Sequence, residues 1–410
     1  MKKMLLILSM FFCVAIADEF VESKTTVGGY GELHYDMEGN GGDGKLDFHR
    51  FIVYFKHVFN DQWSLMSEVE IEHNMVGSSD ALGYKGGYVA MEQAHLNYWN
   101  GSWGFKGGVL LVPAGITNEY HEPPTFMSVE RPEYNKYIIP TTWFDNGFSF
   151  YGTQGDLNWN FTMTGDMNGD EIGDGIRSGR MKGFGSTTTD WTKTLQMSWT
   201  GMEGLKLGGS YTMNDAPVSD TVVEEAAGYW MMDLTGGCSW DSGVEADCLL
   251  GPDGIDADDV ATAEVDESAD NGTWAAPSND AVYVAPVVGS TTENDPISVK
   301  LMEVNGTYSK DNMYARFEYG SIDYENNPSA ESSSGYYLDL GYNVADMMGC
   351  DGDLYLWTRT SSYNKDDDDA AKDISLFGVM YKPLDNISFK FELGEAGDDD
   401  VMRMGLGYMF

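Results

Sequence analysis

The chain has 410 residues and carries 66 acidic against 24 basic side chains, a formal net charge of −42 at pH 7. A surface of that sign repels nucleic-acid phosphates and draws cations. Beyond residue 17 no run of eighteen apolar residues occurs, which excludes a helical membrane span.

The chain opens on a secretion signal, expected over 1–17. Lys2 and Lys3 form its positive start, Met4 to Val14 a short apolar stretch, and Ala15-Ile16-Ala17 small residues before Asp18. Cys13 follows Met10-Phe11-Phe12 rather than the small residues of a lipoprotein processing site. Residues 18–410 are then expected to form one domain. Gly (49) is abundant, Pro (12) scarce and aromatics make up 13%, a mixture that suits many strands, wet turns and an interfacial aromatic ring.

From residue 27 onward the pattern alternates. Strands are predicted over 27–36, 46–58, 62–74, 86–98, 102–112, 143–151, 155–165, 191–201, 204–212, 297–309, 312–322, 335–344, 351–360, 372–381, 386–394 and 400–410. Leu65, Val69 and Ile71 alternate with Glu68, Glu70 and Glu72, and three carboxylates on one strand face require water beside them. Met313, Ala315, Phe317 and Tyr319 alternate with Tyr314, Arg316 and Glu318. At the end, Met402, Met404, Leu406, Tyr408 and Phe410 share a face opposite Arg403, Gly405 and Gly407. The connections sort by parity: even-numbered strands end in short turns such as Asn60-Asp61, Asn100-Gly101 and Lys310-Asp311, and odd-numbered strands in loops that are usually longer. Hydrocarbon offers a bare strand edge no partner, so the sheet must close. The expectation is all-β: one closed antiparallel transmembrane β-barrel of about sixteen strands, with long outer loops, short periplasmic turns and a water-filled bore.

Several segments are candidates for selectivity. The third outer loop, 113–142, contains Glu119, His121, Glu122, Glu130, Arg131 and Lys136, and its prolines limit its wandering. The expected inward wall adds Glu32, His34, Arg50, Lys56, Glu68, Glu70, Glu72, Lys106, Arg316 and Glu318, an acidic balance that favours cations. His121 with Glu119 and Glu122 forms a weak metal candidate. Asp166, Asn168, Asp170 and Asp174 resemble the start of a calcium loop but lack its terminal Glu. Residues 213–296 have no Lys or Arg and nineteen acidic residues, and read as a long outer insert whose charge calls for Ca²⁺ or Mg²⁺ counter-ions. Within it, Cys238 and Cys248 are close enough in sequence to bridge, leaving Cys350 free. No nucleophile elbow, phosphate-binding loop or His-Glu-x-x-His pair occurs, so the expectation is not an enzyme and needs no cofactor.

The segments VGGYGELHYD (27–36), LDFHRFIVYFKHV (46–58), EVEIEH (68–73) and EQAHL (92–96), with LLVPAGITNEYHEPPTFMSVERPEYNKYIIPTTWF (110–144) the most specific, resemble the phosphate-selective porin O and P family of bacterial outer-membrane porins. The resemblance covers roughly 27–165. It implies a sixteen-stranded homotrimeric porin with its third loop inside the bore; phosphate-selective members line the channel with an arginine ladder and lysines. Here the inward basic residues are chiefly Arg50, Lys56, Lys106, Arg131, Lys136 and Arg316, amid many carboxylates. The terminal Phe410 resembles the signal read by the barrel assembly machinery. The expected function is therefore passive diffusion of small hydrophilic solutes or ions across the bacterial outer membrane, weakly cation-preferring, among lipid and lipopolysaccharide. The alternatives are a phosphate or other anion channel and a structural or adhesive surface protein.

Overall fold

A computed structural model describes residues 24–410 apart from 38–43, 75, 80–83, 224–228, 233–248, 251–280, 285–288 and 367–368. The expected signal peptide and the Cys238–Cys248 bridge lie outside the described residues. Cys350 is an exposed free thiol.

Sixteen antiparallel strands close into a barrel. In chain order they are β1 (Lys24–Met37), β2 (Lys45–Val58), β3 (Trp63–Glu72), β4 (Val89–Trp99), β5 (Trp103–Leu111), β6 (Phe144–Gln154), β7 (Leu157–Thr164) and β8 (Thr192–Met202). There follow β9 (Leu205–Ala216), β10 (Ile297–Lys310), β11 (Met313–Glu325), β12 (Ser332–Asn343), β13 (Asp353–Asn364), β14 (Lys372–Leu384), β15 (Ile387–Ala396) and β16 (Asp399–Met409). All sixteen predicted strands are present, and the loop parity holds. The longest inner connection, between β12 and β13, holds a short helix, Ala345–Met348.

The seam pairs β1 with β16 from Tyr30↔Met409 to Met37↔Met402. Phe410 extends it, exchanging both backbone hydrogen bonds with Gly29 at 3.0 and 2.9 Å. The pairing closes the sixteen-stranded sheet, as hydrocarbon demands.

The outer surface carries Leu65, Phe148, Phe161, Phe317, Leu340, Phe377 and Phe389, all exposed. The opposite faces of the same strands carry Glu68, Ser149, Thr162, Glu318, Asp339 and Ser388, all buried. Trp63, Tyr98 and Trp103 form a ring cluster at the periplasmic rim, with centroids 5.0 and 5.6 Å apart. An amphipathic ring of this kind belongs at the boundary between hydrocarbon and water.

The inner wall is not uniformly polar. Val299, Leu301, Ile322, Ile374 and Leu376 point inward from β10, β11 and β14 and are buried. A water-filled bore would leave such residues wet; here they are packed in an apolar cluster.

Ser219–Asp295 forms a separate compact unit. In it Thr221–Val223 pairs with Ser290–Thr292, and Tyr229–Met232 pairs with both Leu249–Leu250 and Ala281–Val284.

Candidate functional site

Residues 113–142, between β5 and β6, lie inside the barrel. Asn118 ties the neck of this loop: its amide donates to the Val112 and Trp143 carbonyls at 2.8 and 3.1 Å, and its side-chain oxygen accepts from Trp143 N at 2.8 Å. Five prolines restrict the backbone. Between them run two single-turn helices, Ile116–Glu119 and Tyr134–Tyr137, and a 3₁₀ turn, Pro123–Thr125. The loop presents Met127, Tyr134, Ile138 and Ile139 to the apolar patch of the wall, and all four are buried in one cluster with Val299, Leu301, Ile322 and Tyr337. Burial of a large apolar side chain contributes roughly 1.5–3 kcal/mol, so this contact is the main reason the loop stays in.

The last strand makes room for it. A Cβ on Gly407 would stand 2.3 Å from the Pro123 Cβ, and one on Gly320 of β11 would stand 2.4 Å from the Tyr134 hydroxyl. Glycine at these inward positions is a steric requirement of the docked loop.

Polar ties complete the seat. Glu318 accepts from the Ile116 amide at 2.8 Å, and Glu392 from the Val129 amide at 2.7 Å. Lys390 donates to the Ser128 carbonyl at 2.7 Å, and Arg316 to the Thr125 carbonyl at 3.0 Å. His34 meets Glu130 at 2.6 Å, Gln196 donates to Glu119 at 2.5 Å, and Tyr54 to Glu122 at 3.4 Å. Burial tends to raise the Glu130 carboxyl, but His34 outweighs it and holds the group down at about 2. For Glu119 burial wins over Gln196, Lys206 and Lys106, and its carboxyl is raised.

The residues singled out from the sequence therefore divide. Glu68, Glu318 and Glu32 are 1%, 0% and 3% exposed. They are not the wet acidic wall expected from alternation: Glu318 accepts from the loop's Ile116 amide, Glu32 pairs with Arg50, and Glu68 accepts from Gln93. His121 does not join Glu119 and Glu122; its ring instead faces Glu68 and Glu92, 3.7 and 3.5 Å away. Burial opposes a charge on that ring, and Glu68 and Glu92 outweigh it, lifting the imidazole to about 10. Glu70 pairs with Arg50, which also pairs with Glu32 at 2.7 Å. Lys106 sits over the Tyr151 ring, and Lys56 is exposed at the inner mouth.

Cavities lie on both sides of the loop. The inner one, about 310 Å³, is bordered by Glu119, Tyr120, Lys206, Asn305, Tyr314 and Arg316. The outer one, about 410 Å³, brings together Arg50, Arg131 and Lys136 with Arg177, Arg359, Lys372 and Arg403. Five carboxylates share this outer cavity: Asp36, Glu70, Glu72, Glu130 and Glu133. Most of the opposed charges are paired. Arg403 meets Asp36 and Glu392, Lys372 meets Glu133, and Arg359 grips Asp339. Among the described residues Arg131, Lys136 and Arg177 have no carboxylate within 4 Å. In a chain this acidic, the outer cavity is lined by a basic majority.

Sequence reasoning missed Arg177, Arg359, Lys372 and Glu92. Arg359 and Lys372 alternate with outward residues and were legible in principle. Arg177 is in the fourth outer loop, where no periodicity marks direction. Glu92 is a bulge residue: Glu68 pairs with Gln93 and Val69 with Met91, so Glu92 has no opposite number. The bulge turns an extra side chain inward.

The calcium-loop candidate is distributed differently. The buried Asp166 carboxylate accepts from the Thr189, Asp190 and Trp191 amides at 2.6, 3.2 and 2.6 Å, from the Thr187 hydroxyl and from the Asn214 amide. Asn168 accepts from the Asp170 amide, and Asp174 pairs with Lys365. Asp166 thus organises residues 187–191 with protein donors. Asp166→Ala strands three amides there and is expected to weaken that segment locally by roughly 2–4 kcal/mol. Faster amide exchange over 187–191, with the strands unchanged, checks this.

No family model matches the chain. A stretch of 153 residues, 37% of the chain, is 40% identical to an uncharacterized protein of Aquifex aeolicus (strain VF5), and it spans about a third (34%) of that relative's length. Among solved structures, the chain is similar over 95% of its length to OmpF of Salmonella typhi in complex with daunomycin (11% identity, 98% of that chain, TM-score 0.55). It is similar over the same share to the anion-selective porin from Comamonas acidovorans (10% identity, 100% of that chain, TM-score 0.53). The loop L8 deletion mutant of OmpT of Vibrio cholerae gives 13% identity, 100% coverage of that chain and a TM-score of 0.52. At these identities the likeness concerns architecture, and the architecture is that of the outer-membrane porins: one closed, sixteen-stranded antiparallel transmembrane barrel.

Proposed function

We propose that this chain is a passive-diffusion porin of the bacterial outer membrane whose outer cavity favours small hydrophilic anions. The observation that carries the anion preference is the convergence of Arg131, Lys136 and Arg177 on one cavity without carboxylate partners. A cleft in which basic side chains outnumber carboxylates raises the local concentration of anions. The weak cation preference expected from the sequence relied on wall carboxylates, of which Glu32, Glu68 and Glu318 are buried. The same reading groups the chain with the phosphate-selective porin O and P family, on the strength of residues 110–144, and takes from it the homotrimer.

Reconstitution in planar bilayers under a KCl gradient tests this. Stable ohmic steps are expected, with a reversal potential on the chloride side. Arg131→Glu combined with Lys136→Glu is expected to move that potential toward potassium. Potassium preference in the unmodified chain would return the reading to a cation-preferring pore. Silent bilayers would favour the structural or adhesive role instead.

A further inference from the structure

The buried group formed by Glu68, Glu92 and His121 has no job in the permeation reading. Each residue offers one ligand atom, and the three atoms lie within 4.8 Å of one another. Glu68 and Glu92 are 1% and 0% exposed, and His121 is 2% exposed. Among the described residues no donor reaches Glu68 Oε1 or either oxygen of Glu92, and His121 Nε2 has no hydrogen-bond partner. Such groups are rarely left bare in a folded protein.

The orientation of each group is fixed from behind. His121 Nδ1 lies 3.1 Å from the Asn118 carbonyl, which can only accept, so Nδ1 carries a proton. Nε2 is left facing two carboxylates. Gln93 donates to Glu68 Oε2 at 2.6 Å and turns Oε1 toward the ring. The β4 bulge delivers Glu92 to the same spot. Three acceptors pointed at one gap repel each other unless a positive charge occupies it.

The separations say which charge. Distances of 3.5 and 3.7 Å from Nε2 are long for a direct N–H···O bond. They are close to the edge of a tetrahedron with arms of about 2.1 Å, roughly 3.4 Å, the spacing of ligands around Zn²⁺. An imidazole held by a backbone carbonyl and a carboxylate held by a side-chain amide are also the outer-shell supports that metal ligands use.

We propose that Glu68, Glu92 and His121 bind a divalent transition cation of the Zn²⁺ class, fastening the third loop to β3 and β4. One imidazole with two carboxylates suits such an ion better than Ca²⁺ or Mg²⁺, which take oxygen ligands. The competing occupant is a proton on Nε2.

The test uses the full barrel refolded in detergent, stripped with EDTA and dialysed against Zn²⁺ in excess Mg²⁺, which fills sites made of carboxylates alone. One zinc per barrel is expected, with an X-ray absorption spectrum showing a single imidazole. His121→Gln and Glu92→Gln should each weaken binding by about 100-fold or more. Asp47→Asn, in the more exposed group of Asp47, His49 and His73, should leave it unchanged. Should His121→Gln fail to fold, Glu92→Gln and the spectrum of the unmodified protein decide. Substoichiometric zinc, zinc retained in both variants, zinc lost in Asp47→Asn, or a spectrum without imidazole would each overturn the proposal and leave the proton in the gap.

Discussion

Replacing residues 115–141 by a four-residue glycine–serine link is expected to raise single-channel conductance several-fold and to turn the pore from anion- to cation-preferring. Leu111 and Phe144 are paired across β5 and β6, so a short hairpin can join the strands without disturbing the barrel. The excision merges the cavities on either side of the loop. It removes Arg131 and Lys136, and it returns Glu68, Glu303, Glu318 and Glu392 to open water, where they act as the acidic wall that alternation suggests. Both changes push selectivity the same way. The variant should also unfold at lower urea, because Val299, Leu301 and Ile322 lose their cover, each worth up to roughly 1.5–3 kcal/mol. Conductance and reversal potential in bilayers, with the urea midpoint in lipid vesicles, provide the check. An unchanged ion preference would show that the field is set elsewhere.

Asp339→Ala is expected to be the most destabilising single substitution in the wall. Arg359 grips Asp339 with two parallel bonds, Nε to Oδ1 at 2.6 Å and Nη2 to Oδ2 at 2.7 Å, and both residues are buried. Removing the carboxylate leaves a guanidinium uncompensated beneath the loop, an effect of about 3–5 kcal/mol. The double variant Asp339→Ala with Arg359→Met should recover most of that loss, since it removes the stranded charge and keeps the volume. Urea unfolding in vesicles compares the two. Equal midpoints for the single and double variants would mean that the pair contributes through packing alone.

The barrel was legible because its solvent writes on every strand. Lipid on one side and polar groups on the other give a period of two, and the chain's short inner turns and long outer loops repeat the message. Legibility failed where that rule is suspended. β10 is apolar on part of its inner face because Val299 and Leu301 meet a loop and not water. Glu92 is placed by a bulge, which local alternation cannot reveal. Arg50, Arg131 and Lys136 were legible as candidates, and they do converge. Their grouping was not: Arg177, Arg359, Lys372 and Arg403 come from distant segments, and only the fold brings them to one cavity. Glu119, His121 and Glu122 are neighbours in sequence, yet the loop's path sends them to three different parts of the wall.

The seating of the third loop also dictates an order of events. Ser128 and Val129 belong to the first third of the chain, but Lys390 and Glu392, which hold them, lie 262 and 263 residues later. Pro123 rests against Gly407, near the final residue. Contacts of such sequence separation form slowly, since the intervening chain must first be brought home. The third loop therefore cannot take its full seat until the last two strands have joined the sheet.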